Sequence, residues 1–253
     1  VPSPNGATVN TRYTRYQHSL GVALLALRYS KLRELNPSLK RLAYASALLH
    51  DIGHGPLSHS LEPVFEGAFG VNHHDATIQL IMGQSRIGQD VPHILLRHGV
   101  DPIEVIAVLS GDYDPFEGFF SGPINFDTIE GIMRSRQYAL KGSRPVSPFR
   151  ILIAAINRQN PEDQELVDRF WAYKHEVYSL VIRSRDGVLA DYACQEIAKT
   201  EISSLSADDY FSTESNLFRK IPRLRKMLTS KSLAGFGFGK SISIQYKARD
   251  FYI

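Results

Sequence analysis

Residues 48–59 read LLHDIGHGPLSH, which places three histidines and an aspartate around two glycines and a proline. The apolar residues before this segment continue a helical pattern, and Gly53, Gly55 and Pro56 end that helix. One histidine at a helix end is commonly satisfied by a backbone carbonyl, whereas three beside an aspartate need another reason. The segment therefore predicts a helix terminus and a functional site at the same point of the chain.

Two helices are predicted upstream of this point. Leucines and alanines recur at three- and four-residue steps across residues 13–35, which predicts an amphipathic helix. The sequence NPS at 36–38 ends it, and a second helix is predicted from about residue 39 to residue 51. In an antiparallel hairpin of these lengths, His18 returns towards His50 and Asp51.

The rest of the chain is predicted to be mainly helical, which gives an all-α fold class with minor β structure near the C-terminus. Further helices are predicted near residues 75–82, 101–110, 128–140, 148–156, 162–199 and 217–228. Loops are predicted at 65–71, 112–123 and 235–240, and a strand at 241–246. A boundary near 141–148 predicts a catalytic core over residues 1–147 and a C-terminal helical lobe over residues 148–253.

The composition predicts a water-soluble protein. The chain has 253 residues, of which 43% are hydrophobic and 22% charged, and it has no apolar run long enough to span a membrane. Cys194 is the only cysteine, so an intrachain disulfide is excluded and a reducing compartment is favoured, the cytoplasm first and the nucleus second. The net charge of +3 suits a small anionic substrate but does not by itself indicate nucleic acid.

The residue types at the hairpin end indicate a metal site. Two imidazoles with carboxylates suit Mn, Fe, Zn or Co, with Mg as a further candidate, and they leave positions open for water and a phosphate oxygen. Arg15 precedes His18 by three residues, which places a guanidinium on the same helix face.

Two motifs carry a resemblance to a known family. TRYQHSLGV at 14–22, followed by LLHDIGHGPLSHSLE at 48–62, resembles the HD-domain phosphohydrolases, and within them the deoxynucleoside triphosphate triphosphohydrolases. The resemblance extends over residues 5–230 and is strongest up to residue 62. It implies a divalent metal held by four side chains: His18, His50, Asp51 and Asp127, the last lying in INFDTIEGIMRS at 124–135.

The resemblance also implies roles for residues around the metal. His54, His59 and His74 are expected near the phosphates, with Glu62 and Asp75 orienting the imidazoles, and His73 is the alternative to His74. In this chemistry the metal activates a water and a protonated imidazole supplies a proton to the leaving oxygen. The expected substrate contacts are Arg15, Tyr173 and Ser135.

The sequence departs from the family pattern after the fourth ligand. The Lys, Tyr and Asp that the family carries there correspond to Thr128, Gly131 and Ser135. We therefore expect the metal ligands to be retained and the substrate contacts to differ from the family pattern. Discrimination between deoxyribo- and ribonucleotides should be weaker as a result. The resemblance also implies an upstream segment, so these 253 residues are expected to be part of a longer chain.

Three functions remain open at this point. The first is hydrolysis of a nucleoside triphosphate to nucleoside and triphosphate by attack at the α-phosphorus. The second is hydrolysis of a nucleoside monophosphate or of a cyclic or oligonucleotide phosphodiester. The third, a nucleotide-sensing or nucleic-acid-binding module, is suggested by the basic run RKIPRLRKMLTSK at 219–231. The family resemblance further implies a homo-oligomer.

Overall fold

The computed structural model describes residues 14–139 and 146–230, and the elements found there are helical. The α-helices are α1 Arg15–Leu32, α2 Pro37–Leu49, α3 Glu62–Phe69, α4 His73–Ile81, α5 Val91–Arg97, α6 Pro102–Ser110, α7 Phe126–Ala139, α8 Pro148–Ile156, α9 Pro161–Val177, α10 Arg185–Thr200, α11 Glu214–Lys220 and α12 Pro222–Leu228. The prediction of a mainly helical fold is confirmed. The strand predicted at 241–246 and the loop at 235–240 lie outside the described residues.

The hairpin of α1 and α2 forms where the sequence predicts it. Thr14 caps α1 by accepting a hydrogen bond from the Gln17 backbone N–H at 3.2 Å, and the Gln17 side-chain oxygen accepts one from the Thr14 backbone N–H. The α2 helix begins at Pro37 behind the cap residue Asn36, whose side chain accepts from the Leu39 N–H. The NPS sequence therefore ends one helix and starts the next.

The turn after α2 is held in an uncommon backbone conformation. A Cβ atom at Gly53 would lie 2.2 Å from Thr77 Oγ1 and 2.3 Å from the His73 carbonyl, so this glycine permits the turn to contact α4. Leu57 and Ser58 both have positive φ angles, 58° and 50°, which cost energy in residues with a Cβ. Because such residues concentrate at functional sites, the geometry of the turn agrees with the histidines it carries.

Two buried clusters form the core. The larger packs α1, α2, α6 and α7 with α8 and α9 around Tyr29, Phe116, Phe126 and Ile151. The smaller packs α3 and α10–α12 around Phe65, Ile197, Tyr210 and Leu217. Helices α8 and α9 thus join the same core as α1, and the division of the chain at residues 147 and 148 stays a prediction.

Several element predictions are corrected. The loop predicted at 65–71 is wrong, because α3 continues to Phe69 and ends at Gly70 in the left-handed conformation. Helix α5 was not predicted, and the helix predicted over 162–199 is divided by a π-helical segment, Tyr178–Ile182, and a new cap at Ser184. Pro222 starts α12 and divides the helix predicted at 217–228. The loop at 112–123 is confirmed.

The described α-helices are between 7 and 18 residues long. None of them combines the length and the apolar character that crossing a bilayer requires.

Candidate metal centre

The end of α2 brings His50 and Asp51 against His18 of α1. The two Nε2 atoms of His18 and His50 lie 3.2 Å apart, and the Asp51 carboxylate lies 3.7 Å from His18 Nε2 and 3.5 Å from His50 Nε2. The His50 ring is oriented by its Nδ1, which contacts the Ala47 carbonyl at 2.8 Å. Three potential ligands therefore converge from two helices, as the hairpin predicted.

Asp127 supplies a fourth group from the first turn of α7. Its Oδ1 lies 3.0 Å from His18 Nε2 and 3.8 Å from His50 Nε2. The side chain is half-exposed and faces the cavity described below. The structure thus places all four predicted metal ligands together, although their roles as ligands stay predictions.

The charges of these groups suit a cation. Burial would raise the pKa of Asp51, but His54, His50 and Arg15 outweigh it and hold the pKa well below its usual range. Partial desolvation of Asp127 beside the cavity would raise its pKa, but the contacts with His18 and His50 outweigh this and lower it. Both carboxylates are therefore ionised at neutral pH, and two imidazoles with two carboxylates fit Zn, Fe, Mn or Co.

A second group of ligand-type atoms surrounds Glu62. The Glu62 carboxylate contacts Nδ1 of His59 at 2.9 Å and Nδ1 of His73, and it also accepts from the His73 backbone N–H at 2.9 Å. Burial would raise the pKa of Glu62, but these hydrogen bonds lower it to about 2. One ionised carboxylate therefore holds two imidazoles through Nδ1 and leaves their Nε2 atoms for other partners.

His54 lies between the two groups. Its Nε2 is 3.4 Å from Asp51 Oδ1, and its ring stacks on the His73 ring with centroids 4.6 Å apart. The Nδ1 atom is buried without a hydrogen-bond partner among the described residues. Potential ligand atoms of His54, His59, Glu62 and His73 all lie within 4.8 Å of one another, so this group also has the donor types of a metal site.

The two predicted residues at the start of α4 have different surroundings. The His74 ring contacts the His73 ring at a centroid distance of 3.9 Å, and both histidines line the cavity. The Asp75 carboxylate accepts a hydrogen bond from the Asn72 side chain at 2.9 Å, within the cap of α4. The contacts of Glu62 with His59 and His73 are those expected of an orienting group, and its role stays a prediction, whereas the contacts found for Asp75 are those of a helix cap.

A cavity of about 270 Å³ connects the two groups of polar residues. The polar part of its lining comprises His50, Asp51, His54, His59, His73, His74 and Asp127. The apolar part comprises Val22, Ile78, Ile106, Leu109, Phe119, Phe120 and Phe126. A ligand that has both an anionic group and an aromatic or apolar group fits this mixed lining.

The three predicted substrate contacts lie outside the lining of this cavity. Arg15 pairs with Asp51 at 2.5 Å and also contacts Ser58, so its guanidinium supports a candidate metal ligand. Tyr173 of α9 packs against the guanidinium of Arg136, which lies 3.8 Å from the ring centroid. Ser135 lies two turns after Asp127 on α7, and its role stays a prediction.

Sequence reasoning missed the residues that support His18. Glu130 is 6% exposed, and its Oε2 contacts His18 Nδ1, the nitrogen that faces away from Asp127. Its Oε1 accepts from Arg134 Nε at 2.5 Å. A signal was present, because Glu130 follows Asp127 by three residues and therefore shares its helix face.

The comparisons with known proteins agree with this site. Residues 15–104 match the model of the HD domain family, and this range contains His18, His50, Asp51, His54 and Glu62. Over 131 residues, half of this chain, the sequence is 37% identical to the uncharacterized protein YwfO of Bacillus subtilis. Over 43% of this chain it is 29% identical to the deoxynucleoside triphosphate triphosphohydrolase SAMHD1 homolog of Dictyostelium discoideum.

The same fold occurs in a crystal structure of a hypothetical protein from Aquifex aeolicus. The match has a TM-score of 0.60 at 18% identity and covers 88% of this chain and 60% of that chain, which shows a shared fold. The matches cover only 29% of YwfO and 22% of the Dictyostelium protein. The HD family match, the fold and the convergent His and Asp residues identify residues 15–104 as an HD domain, the domain type of metal-dependent phosphohydrolases.

Proposed function

We propose that this chain hydrolyses nucleotides with a divalent metal ion, and that its reaction is the conversion of a nucleoside triphosphate to nucleoside and triphosphate. The observation that carries the proposal is the cavity, whose lining combines three of the four candidate metal ligands, His50, Asp51 and Asp127, with aromatic and apolar side chains. The likeness to a deoxynucleoside triphosphate triphosphohydrolase homolog supports the choice of substrate. A nucleotide suits this lining, because its phosphates match the metal ligands and histidines and its base matches the aromatic and apolar side chains.

In the proposed reaction one group of residues binds the metal ion and another residue donates a proton. His18, His50, Asp51 and Asp127 would hold the ion, which polarises a phosphoryl oxygen and lowers the pKa of a bound water when present. Glu62 holds the His59 ring through Nδ1 at 2.9 Å, so that Nε2 is the nitrogen left to donate a proton. In the proposed reaction His59 protonates the leaving 5′-oxygen as the bond between that oxygen and the α-phosphorus breaks.

A second candidate is the hydrolysis of a nucleoside monophosphate or a phosphodiester. The size of the cavity favours it, because about 270 Å³ lies just below the usual range of about 300–1,000 Å³ for ligand sites. Thr128 and Gly131 stand where the family has Lys and Tyr. These differences also favour substrate contacts unlike those of the triphosphohydrolases. Assembly into homo-oligomers and binding of nucleic acid through residues 219–231 stay predictions.

Product analysis tests these candidates directly. The protein is incubated with matched deoxy- and ribonucleoside mono-, di- and triphosphates and a cyclic nucleotide, with Mn²⁺ or Mg²⁺, and the products are separated by chromatography. Triphosphate as product supports the first function, orthophosphate or an opened diester supports the second, and no product from any substrate contradicts both. The matched control is Asp51→Asn, which keeps the shape of the side chain and removes its charge.

Metal content is measured on the same samples. About one ion per chain that is lost in Asp51→Asn would support the four-residue centre. About two ions per chain would indicate that the group around Glu62 binds metal as well, and the role of His59 as a proton donor would then be wrong.

A further inference from the structure

A buried carboxylate lies behind His18, on the side opposite the candidate metal centre. Glu130 of α7 is 6% exposed, and its Oε2 contacts His18 Nδ1. On the other side of the ring, His18 Nε2 lies 3.0 Å from Asp127 Oδ1 and 3.2 Å from His50 Nε2. The imidazole therefore has one nitrogen on the buried carboxylate and the other in the centre.

Arg134 holds this carboxylate in place. Its Nε donates to Glu130 Oε1 at 2.5 Å, and its Nη2 donates both to the same oxygen and, at 3.0 Å, to the Gln17 carbonyl of α1. A buried carboxylate is costly unless it is paired and fully hydrogen-bonded, and Arg134 meets that requirement. Because the guanidinium also binds α1 next to His18, it fixes the carboxylate relative to the ring.

A glycine makes room for the carboxylate. Gly21 lies one turn after His18 on α1, and a Cβ there would be 2.5 Å from Glu130 Oε1 and 2.8 Å from Glu130 Cγ. Any larger residue would displace Glu130 from its position. The three residues behind His18 thus depend on one another. Gly21 leaves space for the Glu130 side chain, and Arg134 neutralises the charge of the Glu130 carboxylate.

We propose that Glu130 is a positioning residue that fixes the His18 ring with Nδ1 protonated and Nε2 presented to the metal. The proposal rests on the proposed metal centre, and it concerns binding of the ion instead of the choice of substrate. Carboxylates that accept the second N–H of a ligating histidine orient the ring and raise its basicity, and losing one costs about 10- to 100-fold in metal affinity. Asp127 and Glu130 then lie on the same face of α7 with different roles. Asp127 is a metal ligand, and Glu130 supports the ligand His18.

The first test compares Glu130→Gln with Glu176→Gln. Glu176 also pairs with an arginine of α7, Arg136, at 2.8 Å, but this pair does not contact His18. Zn²⁺ affinity is measured by competition with a chelator. We expect about 10- to 100-fold weaker binding in Glu130→Gln and an unchanged affinity in Glu176→Gln. Equal affinities in the wild type and Glu130→Gln would overturn the proposal.

The second test needs no substitution at Glu130 and covers the case in which that variant does not fold. Heteronuclear NMR of the imidazole nitrogens in the Zn²⁺-loaded wild type reports which nitrogen of His18 carries the proton. A protonated Nδ1 with metal on Nε2 is expected, whereas metal on Nδ1 or no zinc binding would overturn the proposal. Zinc bound in this way by a protein that hydrolyses no nucleotide would contradict the proposed function and leave the role of Glu130 intact.

Discussion

Raising the pH above neutrality should tighten the binding of a divalent metal, because His18 must lose a proton before Nε2 can bind an ion. Burial by itself would lower the pKa of His18, but its contacts with Asp127 and Glu130 outweigh burial and raise the pKa to about 9. Near neutral pH the metal-free protein therefore holds a protonated His18 among carboxylates, and an incoming ion competes with that proton.

The magnitude follows from the distance between neutral pH and that pKa. Each pH unit corresponds to about 1.4 kcal/mol, so displacing the proton at about pH 7 costs about 3 kcal/mol, or a factor of about 100 in the apparent Kd. The apparent Kd should fall about tenfold per pH unit above neutrality. The fall should level off near pH 9, where half of the His18 rings are already neutral.

The stability of the metal-free protein should change in the opposite direction. The ordinary pKa of histidine is 6.5, and the folded value is about 9. Protonated His18 therefore stabilises the fold fully below about pH 6.5, and this stabilisation is lost as the pH rises through about 9. The difference limits the effect to about 3 kcal/mol, and solvent at the half-exposed Asp127 reduces it.

Two measurements check this reasoning. Zn²⁺ or Mn²⁺ is titrated against a chelator between about pH 7 and pH 8.5, with correction for protonation of the chelator, where an increase in affinity of about 30-fold is expected. Urea unfolding of the chelator-treated protein is compared at about pH 6.5 and pH 9. An affinity that does not change with pH would show that His18 is already neutral, and the reasoning from Asp127 and Glu130 would be wrong.

The other predictions concern single residues of the centre and the cavity. Asp51→Ala should remove metal and activity while circular dichroism shows an intact helical fold, and an unchanged metal content would contradict its role as a ligand. His59→Ala should keep the metal and lower kcat by roughly 10²- to 10⁴-fold, the range of general acid catalysis. Glu62 contacts His73 and not His74, so we expect His73→Gln to lower kcat more than His74→Gln. The reverse order would show that His74 is the histidine that contacts the phosphates. The ratio of kcat/KM for dATP and ATP should stay below about 100, as expected from Gly131 and one lost polar contact, and a larger ratio would show that other residues select the sugar.

The convergence of His18, His50 and Asp51 was predictable because it depends on two helices that follow each other in the sequence. The NPS sequence at 36–38 and the three- and four-residue spacing of the apolar residues predict a helical hairpin. Helix geometry alone then places His18 near His50, whatever the rest of the fold. The failures have equally local causes. Helix α5 has only seven residues, too few for a helical spacing of apolar residues to be recognised. Helix α3 contains Pro63 and Gly67, which are typical of loops and led to a loop prediction there.

The spacing of Glu130 after Asp127 is visible in the sequence, but its contact with His18 is not. By itself an acidic residue on a helix with an arginine four residues later is typical of a solvated surface pair. Its burial depends on the approach of α1 and α7, and that approach depends on Gly21, more than a hundred residues earlier in the chain. The role of a second carboxylate therefore appears only when the two helices are placed together, whereas the ligands themselves are visible in the motifs.

Helix α7 contributes both to the candidate metal centre and to the lining of the cavity. The hairpin of α1 and α2 supplies three of the four candidate ligands, whereas α7 supplies Asp127, the buried Glu130 and the cavity-lining Phe126. A Cβ at Gly131 would lie 3.8 Å from both Asp127 Oδ1 and His18 Cε1, at ordinary contact distance, so any side chain there would border the candidate metal centre. Residues on the outer turns of α7 can therefore change without moving a ligand, because Asp127 and Glu130 are fixed by contacts with α1. Binding of an ion by the four candidate ligands therefore depends on the packing of α7 against the hairpin, because Asp127 and Glu130 both contact His18 of α1.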